Sequence, residues 1–217
     1  MKTGKAIAAT AIVLAAGLAT VMAATIGQET SEEPAVVEGP RIGMEAPNFT
    51  LPNLDGAPVK LASFRGKYVV LEWINYDCPF VAKHYSSGNM QALQNEYMAK
   101  GVAWLGICSS APGNQGHFPP EEWKKLATER NSTPTAILLD PEGNVGRLYR
   151  ARTTPEMFVI SPDGVLLYMG AIDDKPSRRL EDVATATNYV RLALDAAMAG
   201  KEIEVTVTRS YGCSVKY

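Results

Sequence analysis

The stretch EWINYDCPFVAKHY, residues 72–85, ends an apolar strand and begins a helix with one cysteine, Cys78, at the junction. The residues before it, KYVVLEWI, are almost continuously apolar, which is typical of a strand buried on both faces of a sheet. Val81 stands where a second cysteine would complete a Cys-x-x-Cys pair. The stretch therefore predicts a buried strand, a helix and a single thiol at the helix N-terminus.

Strand and helix patterns alternate along the rest of the chain. Hairpins are predicted around Asp55-Gly56 and Asp163-Gly164, each between two apolar runs. Further strands are predicted at VAWLGICSS and TAILLD, and helices at 79–100 (interrupted near SSGN), 119–130, 144–149 and 181–199. The segment EIEVTVT is β-like. This alternation predicts an α/β fold with a central mixed sheet flanked by helices and an N-terminal β-hairpin.

The N-terminus has the layout of a secretory signal peptide. Lys2 and Lys5 precede an apolar run that closes on Val21-Met22-Ala23, which predicts cleavage after residue 23. An uncleaved membrane anchor is the alternative, since about 18 apolar residues can just span a bilayer. Residues 24–40 are acidic and poor in apolar side chains, which predicts a flexible linker before a domain at 41–217. Either reading predicts export to an oxidising space, such as the periplasm, where disulfides persist.

Composition argues against several classes of function. The formal net charge is −2, and the Lys and Arg residues are scattered rather than clustered, so no nucleic-acid surface is expected. The two histidines, His84 and His117, lack the spacing of metal ligands with cysteine. The sequence therefore predicts no metal site and no cofactor.

Three segments in order, GKYVVLEWINYDCPF, LLDPEGNVGRLY and TTPEMFVISPDG, carry a resemblance to the thioredoxin superfamily. The chain resembles its redoxin or peroxiredoxin-like (AhpC/TSA-type) branch over roughly residues 42–201, with one active-site cysteine in place of Cys-x-x-Cys. The resemblance implies a thioredoxin-like fold in which Thr154-Pro155 is a cis peptide lying against the active cysteine. Cis peptides are essentially confined to X-Pro bonds, so the sequence permits this.

Cys78 is the candidate nucleophile. Unpaired N–H groups and the positive end of the dipole at a helix start favour a thiolate over a thiol. In a thioredoxin alignment Cys78 takes the attacking position, and Val81 replaces the resolving cysteine. In a peroxiredoxin alignment the peroxidatic cysteine falls near Val81, and the pattern Pro-x-x-x-Thr-x-x-Cys is missing. The first departure removes the usual partner thiol, and the second argues against efficient peroxide reduction.

Three ionisable residues lie near Cys78 in sequence. Glu72, inside the apolar strand, matches by resemblance a buried acid that relays protons in thioredoxins, and burial would raise its pKa. The alternative is that Glu72 pairs with a lysine or faces solvent at a sheet edge. Lys83 and His84, on the first turns of the helix, are interpreted as surface residues rather than as groups that stabilise a thiolate.

Two further cysteines compete as partners of Cys78. Cys213 lies in the tail RSYGCSVKY, where a Gly-Cys step is flexible enough to approach Cys78. Cys108 ends a strand and is interpreted as a small buried hydrophobe, although strand ends also line functional crevices. Cys213 is therefore the predicted resolving thiol, with a tail that folds back over Cys78.

These residues predict an exported thiol-disulfide oxidoreductase with Cys78, Cys213 and Glu72 as catalytic residues beside the Thr154-Pro155 loop. Its partners would be protein thiols and disulfides or a small thiol reductant, with a membrane involved only if the signal segment stays uncleaved. Two alternatives remain open: a peroxiredoxin-like thiol peroxidase with an antioxidant role, and a redox-inert binding module on a thioredoxin scaffold.

Overall fold

A computed structural model describes residue 1 and residues 39–217. Apart from Met1, the predicted signal peptide at 1–23 lies outside these residues, as does the predicted linker at 24–40 except for its last two residues. The helices at residues 39–217 are all too short or too polar to cross a bilayer.

Short strands and helices alternate along the described chain, as predicted. Nine strands lie within residues 39–217: β1 (Thr50–Pro52), β2 (Pro58–Lys60), β3 (Val69–Trp73), β4 (Ala103–Cys108), β5 (Ala136–Leu139), β6 (Thr153–Thr154), β7 (Glu156–Ile160), β8 (Leu166–Gly170) and β9 (Cys213–Ser214). The α-helices of the same residues are α1 (Pro79–Ser86), α2 (Asn89–Ala99), α3 (Pro120–Glu129), α4 (Asn144–Leu148) and α5 (Tyr189–Met198). Short 3-10 helices span Leu61–Phe64 and Leu180–Thr185.

Five strands form the central sheet, in the order β5-β4-β3-β7-β8. β3, β4 and β5 run parallel, and β7 is antiparallel to both β3 and β8. β1 and β2 form the predicted N-terminal hairpin. The mixed sheet with helices around it confirms the predicted α/β class.

The sheet separates two apolar cores, because alternate side chains of a strand point to opposite faces. Val70 of β3 and Ile74, which directly follows this strand, pack in a cluster with residues of α1, α2, α3 and α5. Leu71 and Trp73 pack in a second cluster with residues of β1 and α4. β3 is buried along its whole length, which explains its continuous apolar run. The helix that begins at Cys78 therefore starts from the most central strand of the sheet.

The predicted helix at 79–100 is two helices, α1 and α2, separated at Gly88, where φ is 73°. The prediction of one helix over 181–199 is wrong at its N-terminal end. A 3-10 helix occupies Leu180–Thr185, and α5 begins only at Tyr189. The cause is Asn188, whose side-chain oxygen accepts a hydrogen bond from the N–H of Arg191 at 2.9 Å and so caps α5.

The β-like segment EIEVTVT forms no named strand but runs beside β8. The N–H of Met169 donates to the carbonyl of Thr206 at 3.0 Å, and the N–H of Thr208 donates to the carbonyl of Met169 at 3.1 Å. Val207 is 53% exposed, so the alternation of this segment does not bury one face. These bonds direct the tail from the C-terminus of α5 back across the sheet toward β6.

We expect Asn188→Ala to lower the free energy of unfolding by about 1 kcal/mol, because it removes the side-chain cap of α5. Urea denaturation followed by circular dichroism measures the change. Asn188→Ser is the matched control, since serine keeps an oxygen that can cap, and its stability should stay close to that of the wild type. Equal losses in the two variants would contradict the capping role.

Candidate functional site

Cys78 occupies the N-cap position of α1, directly after the loop that leaves β3. Its backbone is extended, as in the loop, but its carbonyl already accepts the N–H of Ala82 at 2.8 Å, which is the first hydrogen bond of the helix. The side chain is fully buried. The sequence thus located the thiol correctly at a helix start, where the helix dipole stabilises negative charge.

The Thr154-Pro155 loop lies against Cys78. The peptide bond between these two residues is cis. The Cys78 thiol donates to the carbonyl oxygen of Thr154, with 3.0 Å between Sγ and O. The buried carboxylate of Glu156 accepts the N–H groups of Arg152 and Thr153 at 2.6 and 3.1 Å. Glu156 therefore braces the loop from within and fixes the carbonyl that faces the thiol.

The C-terminal tail brings Cys213 to the same loop. β9 pairs antiparallel with β6, in a register that sets Cys213 opposite Thr154. The carbonyl of Thr154 accepts the thiol of Cys78, so both cysteines lie at this one residue, and both thiols are free. Burial, followed by interaction with the nearby Cys78, raises the pKa of Cys213 to about 11. The two cysteines most separated in sequence are therefore neighbours in the fold.

Close packing of the tail requires a glycine before Cys213. Gly212 has a φ of 139°, and a Cβ at this position would overlap the carbonyl oxygen of Thr154. Glycine alone avoids both the backbone penalty and the collision. The Gly-Cys step, which the sequence suggested only as a flexible element, is therefore a point of close backbone contact.

Cys108 is packed away at the end of β4. Its thiol donates to the carbonyl of Gly116, with 3.4 Å between Sγ and O. Burial raises the pKa of Cys108, which disfavours its thiolate. This environment agrees with the interpretation of Cys108 as a small buried hydrophobe.

Glu72 is fully buried in the centre of β3. Its carboxylate accepts hydrogen bonds from Trp104 Nε1 at 2.8 Å, from the Tyr85 hydroxyl at 3.0 Å and from Gln94 Nε2 at 3.4 Å. The alternative of a lysine partner or a sheet-edge position is wrong, because β3 lies between β4 and β7 and these three donors are neutral.

Burial raises the pKa of Glu72 to about 7, although its three hydrogen bonds partly offset the effect. The carboxyl group can therefore take up or release a proton near neutral pH. Its bond to Tyr85 connects it to α1, two turns after Cys78. Within the described residues, its hydrogen bonds lead to that helix and not to the sulfur atom itself.

The interpretation of Lys83 and His84 as surface residues is wrong. Both are buried, at 1% and 0% exposure. Lys83 Nζ lies 3.4 Å from a carboxylate oxygen of Asp173. His84 Nε2 lies 3.2 Å from the hydroxyl of Tyr211. A lysine is rarely buried without a partner, and here both residues are covered by groups more than 80 positions away in sequence.

Tyr211 and Asp173 are site residues that sequence reasoning missed. The Tyr211 hydroxyl donates to Asp173, and its ring contacts Phe80 with 5.9 Å between centroids. The one available sign was an aromatic residue two positions before Cys213 in the tail. Within residues 39–217, no group of three or more His, Cys, Asp or Glu side chains is arranged to hold a metal ion.

A buried thiol at a helix start, facing a cis-proline loop beside a mixed sheet, defines a thioredoxin-like fold. Residues 42–169 match the AhpC/TSA family, and the chain belongs to this family. The matched region includes Cys78, Glu72 and Thr154-Pro155 but ends before the tail. Cys213 therefore lies beyond the matched residues.

Two solved structures resemble most of the chain. An uncharacterized conserved protein from Geobacillus kaustophilus is 31% identical, with a TM-score of 0.69 over 82% of this chain and 92% of its own. A hypothetical protein from Sinorhizobium meliloti 1021 is 25% identical, with a TM-score of 0.71 over 83% and 96%. The structure of a thiol:disulfide interchange protein DsbE from Chlorobium tepidum, at 24% identity and a TM-score of 0.50, supports the fold alone.

One curated relative has a named activity. The thiol-disulfide oxidoreductase ResA of Halalkalibacterium halodurans is 26% identical over 127 residues. The aligned region covers 58% of this chain and 66% of that relative, so it spans just under two thirds of the relative's length.

We expect the stability of the protein to fall as pH rises from about 4.5 to 7, because folded Glu72 retains a proton that the unfolded chain releases. The loss should approach about 3 kcal/mol, since each tenfold change in proton affinity corresponds to about 1.4 kcal/mol. Glu72→Gln cannot titrate, so its stability should vary less over this range. Urea denaturation at about pH 5 and about pH 8 measures the difference.

Glu142→Gln, at an exposed position, is the matched control and should keep the pH dependence of the wild type. If Glu72→Gln loses stability over this range as steeply as the control does, the raised pKa of Glu72 is wrong.

Proposed function

We propose that the protein is a thiol-disulfide oxidoreductase in which Cys78 attacks and Cys213 resolves. The observation that carries the proposal is that two free thiols meet at Thr154. Its carbonyl accepts the thiol of Cys78 at 3.0 Å, and Cys213 lies opposite it in the pairing of β6 with β9. This second thiol would take the place of the cysteine that position 81 lacks. The activity named for the relative ResA supports the same class of reaction.

The proposed reaction has two exchange steps. The Cys78 thiolate attacks one sulfur of a partner's disulfide, so that an S–S bond to Cys78 forms, the partner's S–S bond breaks and a partner thiolate leaves. Cys213, once deprotonated, then attacks the Cys78 sulfur, which forms the Cys78–Cys213 disulfide and releases the partner's second thiolate. The partner gains two electrons and two protons, the second proton coming from Cys213 or solvent. A dithiol or small thiol reductant reverses the oxidation of the pair.

The roles of the two thiols follow from their surroundings. The N-terminus of α1 stabilises the charge of a Cys78 thiolate. The raised pKa of Cys213 keeps that thiol protonated at neutral pH, so it does not compete for the first attack. Cys213 loses its proton at the resolution step, where its thiolate attacks the Cys78 sulfur.

In the proposed mechanism Glu72 takes up and releases protons inside the domain. Its support is the pKa of about 7 and the hydrogen bond that links it to α1 through Tyr85. Export belongs to the proposal as well, because Lys2, Lys5 and the apolar run predict a secretory signal peptide. Disulfides persist in oxidising compartments, so an exported thiol pair would find disulfide substrates there.

A thiol peroxidase is the second candidate, because a free thiol at Thr154 could also react with an oxidised Cys78. The missing Pro-x-x-x-Thr-x-x-Cys pattern makes it the weaker candidate. A hydroperoxide would convert the Cys78 thiolate to a sulfenic acid with release of an alcohol, and Cys213 would condense with it to form the disulfide and water. The substrate distinguishes the candidates. Oxidation of the pair that is faster with a disulfide peptide than with a hydroperoxide supports the exchange enzyme, and the reverse supports the peroxidase. A pair inert to both would indicate a binding module.

We expect Cys78→Ser to abolish reduction of a disulfide peptide with dithiothreitol as the electron source. Cys213→Ser should lower turnover about tenfold or more and accumulate the mixed disulfide at Cys78, because only outside thiols then release the partner. Turnover assays and intact-mass measurements follow both effects. Cys108→Ser is the matched control and should keep most of the activity. Equal losses from the Cys108 and Cys213 substitutions would contradict the assignment of Cys213 as the resolving thiol.

A further inference from the structure

A buried polar cluster, separate from Cys78 and Cys213, joins α1 to the tail. It consists of Lys83, His84, Asp173 and Tyr211, and is called the tail clamp below. Lys83 Nζ donates to the Tyr211 hydroxyl oxygen at 3.1 Å and to Asp173 at 3.4 Å. The Tyr211 hydroxyl in turn donates to Asp173. The tail thus supplies a central member of a cluster that is otherwise built from the body of the domain.

Lys83 is held by three acceptors. Its third partner is the carbonyl of Lys175, at 2.8 Å from Nζ. An ammonium group has three N–H donors, so the tail, the carboxylate and the loop carbonyl can match all three. Burial lowers the pKa of Lys83, and Asp173 opposes that effect. Undocking of Tyr211 would leave one donor of a buried charge without its partner, which is costly unless water replaces it.

His84 contributes as a neutral ring. Burial, followed by the charge of Lys83, lowers its pKa to about 3. Nδ1 lies 2.8 Å from Nδ2 of Asn89, and an amide N–H can donate only to a ring nitrogen without a proton. This leaves the proton on Nε2, which then donates to the Tyr211 oxygen at 3.2 Å. The hydroxyl of Tyr211 therefore accepts from two groups of α1 and donates to Asp173.

The same helix and the same tail meet at two points. Cys78 and Phe80 begin α1, and Lys83 and His84 lie one turn further along it. On the tail, Tyr211 contacts that turn and Phe80, and Cys213 reaches Cys78. A tail fixed at position 211 leaves one residue, Gly212, to span the distance to Cys213. The clamp therefore holds the tail directly before the residues that pair with β6, and so helps to keep the Cys213 thiol at the site.

We propose that the tail clamp presents Cys213 to Cys78 and holds the tail closed over the reduced site, with Tyr211 as the positioning residue. This inference rests on the proposed function, since it concerns the resolution step. Two opposite effects follow. Cys78 is fully buried, and Tyr211 and Cys213 of the tail pack against the core cluster that contains it. In the proposal a partner's disulfide reaches Cys78 only when the tail opens. After the mixed disulfide has formed, closure of the clamp raises the local concentration of the resolving thiol.

The test uses the full chain with Cys108→Ser, which removes the third thiol, and Tyr211→Phe as the variant. Phenylalanine keeps the ring against Phe80 but removes the hydroxyl that the clamp binds. The probe is an aromatic disulfide, dithiobis(nitrobenzoate), whose coloured thiolate is released once when Cys78 attacks and again when Cys213 resolves. We expect the second release to slow about tenfold in Tyr211→Phe, and the first to be as fast as in the parent or faster.

Tyr68→Phe is the matched control, because the Tyr68 hydroxyl also donates a hydrogen bond, at 2.9 Å to the carbonyl of Ala197 in α5. Both release rates should stay at the parent values. Gly212→Ala is a second variant that keeps the four side chains of the clamp but adds a Cβ that would collide with the Thr154 carbonyl between Tyr211 and Cys213. It should also slow the second release. An unchanged second release in Tyr211→Phe would overturn the clamp, whatever Gly212→Ala does.

A separate measurement distinguishes failure of the clamp from failure of the proposed function. In a chain that also carries Cys213→Ser, iodoacetamide alkylation of Cys78 reports only how often the tail opens. Tyr211→Phe should raise this rate several-fold over Tyr68→Phe, by analogy with opening-limited reactions of buried groups. If no variant forms the Cys78–Cys213 disulfide but alkylation still rises, the proposed function is wrong and the clamp stands. Equal alkylation rates would overturn the clamp.

Discussion

The antiparallel pairing of Cys213–Ser214 with Thr153–Thr154 is the constraint on which the whole site depends. One carbonyl, that of Thr154, accepts the thiol of Cys78, and the same residue lies opposite Cys213 in the pairing. Helix start, cis-proline loop and tail therefore meet at a single peptide. Glu156 binds the N–H groups of the two residues before Thr154, and Gly212 permits the tail to approach the Thr154 carbonyl. Without the pairing, Cys78 would remain a thiol at a helix start, and it would have no second thiol beside it.

The interior around α1 carries charge in two different ways. Glu72 lies among neutral donors, so burial raises its pKa and its proton becomes exchangeable near neutral pH. Burial disfavours the charged form of Lys83 and lowers its pKa, and the neighbouring Asp173 partly offsets this effect. Glu72 belongs to the sheet and bonds to Tyr85 of α1, whereas Lys83 belongs to α1 and bonds to Tyr211 of the tail. α1 is therefore tied to a proton-exchanging carboxyl group on one side and to the segment that carries Cys213 on the other.

Much of the fold could be predicted from local patterns. Turn dipeptides gave both hairpins, and the continuous apolar run of β3 identified the central strand, because these signals lie within a few residues of each other. The helix start at Cys78 was visible for the same reason. The late start of α5 was not visible in the sequence. The capping preference of Asn188 is a weaker signal than the apolar periodicity of the surrounding residues.

The rest of the site depended on contacts that no local pattern contains. Lys83 and His84 have the sequence context of exposed helical residues, and they are buried only because Asp173 and Tyr211 arrive from distant segments. Cysteine counting made Cys213 a candidate, but the pairing of the tail with β6 determined its position. The family match stops at residue 169, so it could not have supplied this information.

The most direct test of the account is peptide mapping of the oxidised full chain under non-reducing conditions. A mild disulfide oxidant, followed by proteolysis and mass spectrometry, identifies which sulfurs have joined. The account predicts one intramolecular linkage, between the peptides that contain Cys78 and Cys213, with Cys108 recovered as a free thiol. Oxidised protein whose only bridge joins Cys78 to Cys108, or in which Cys78 bridges only to another molecule, would contradict it.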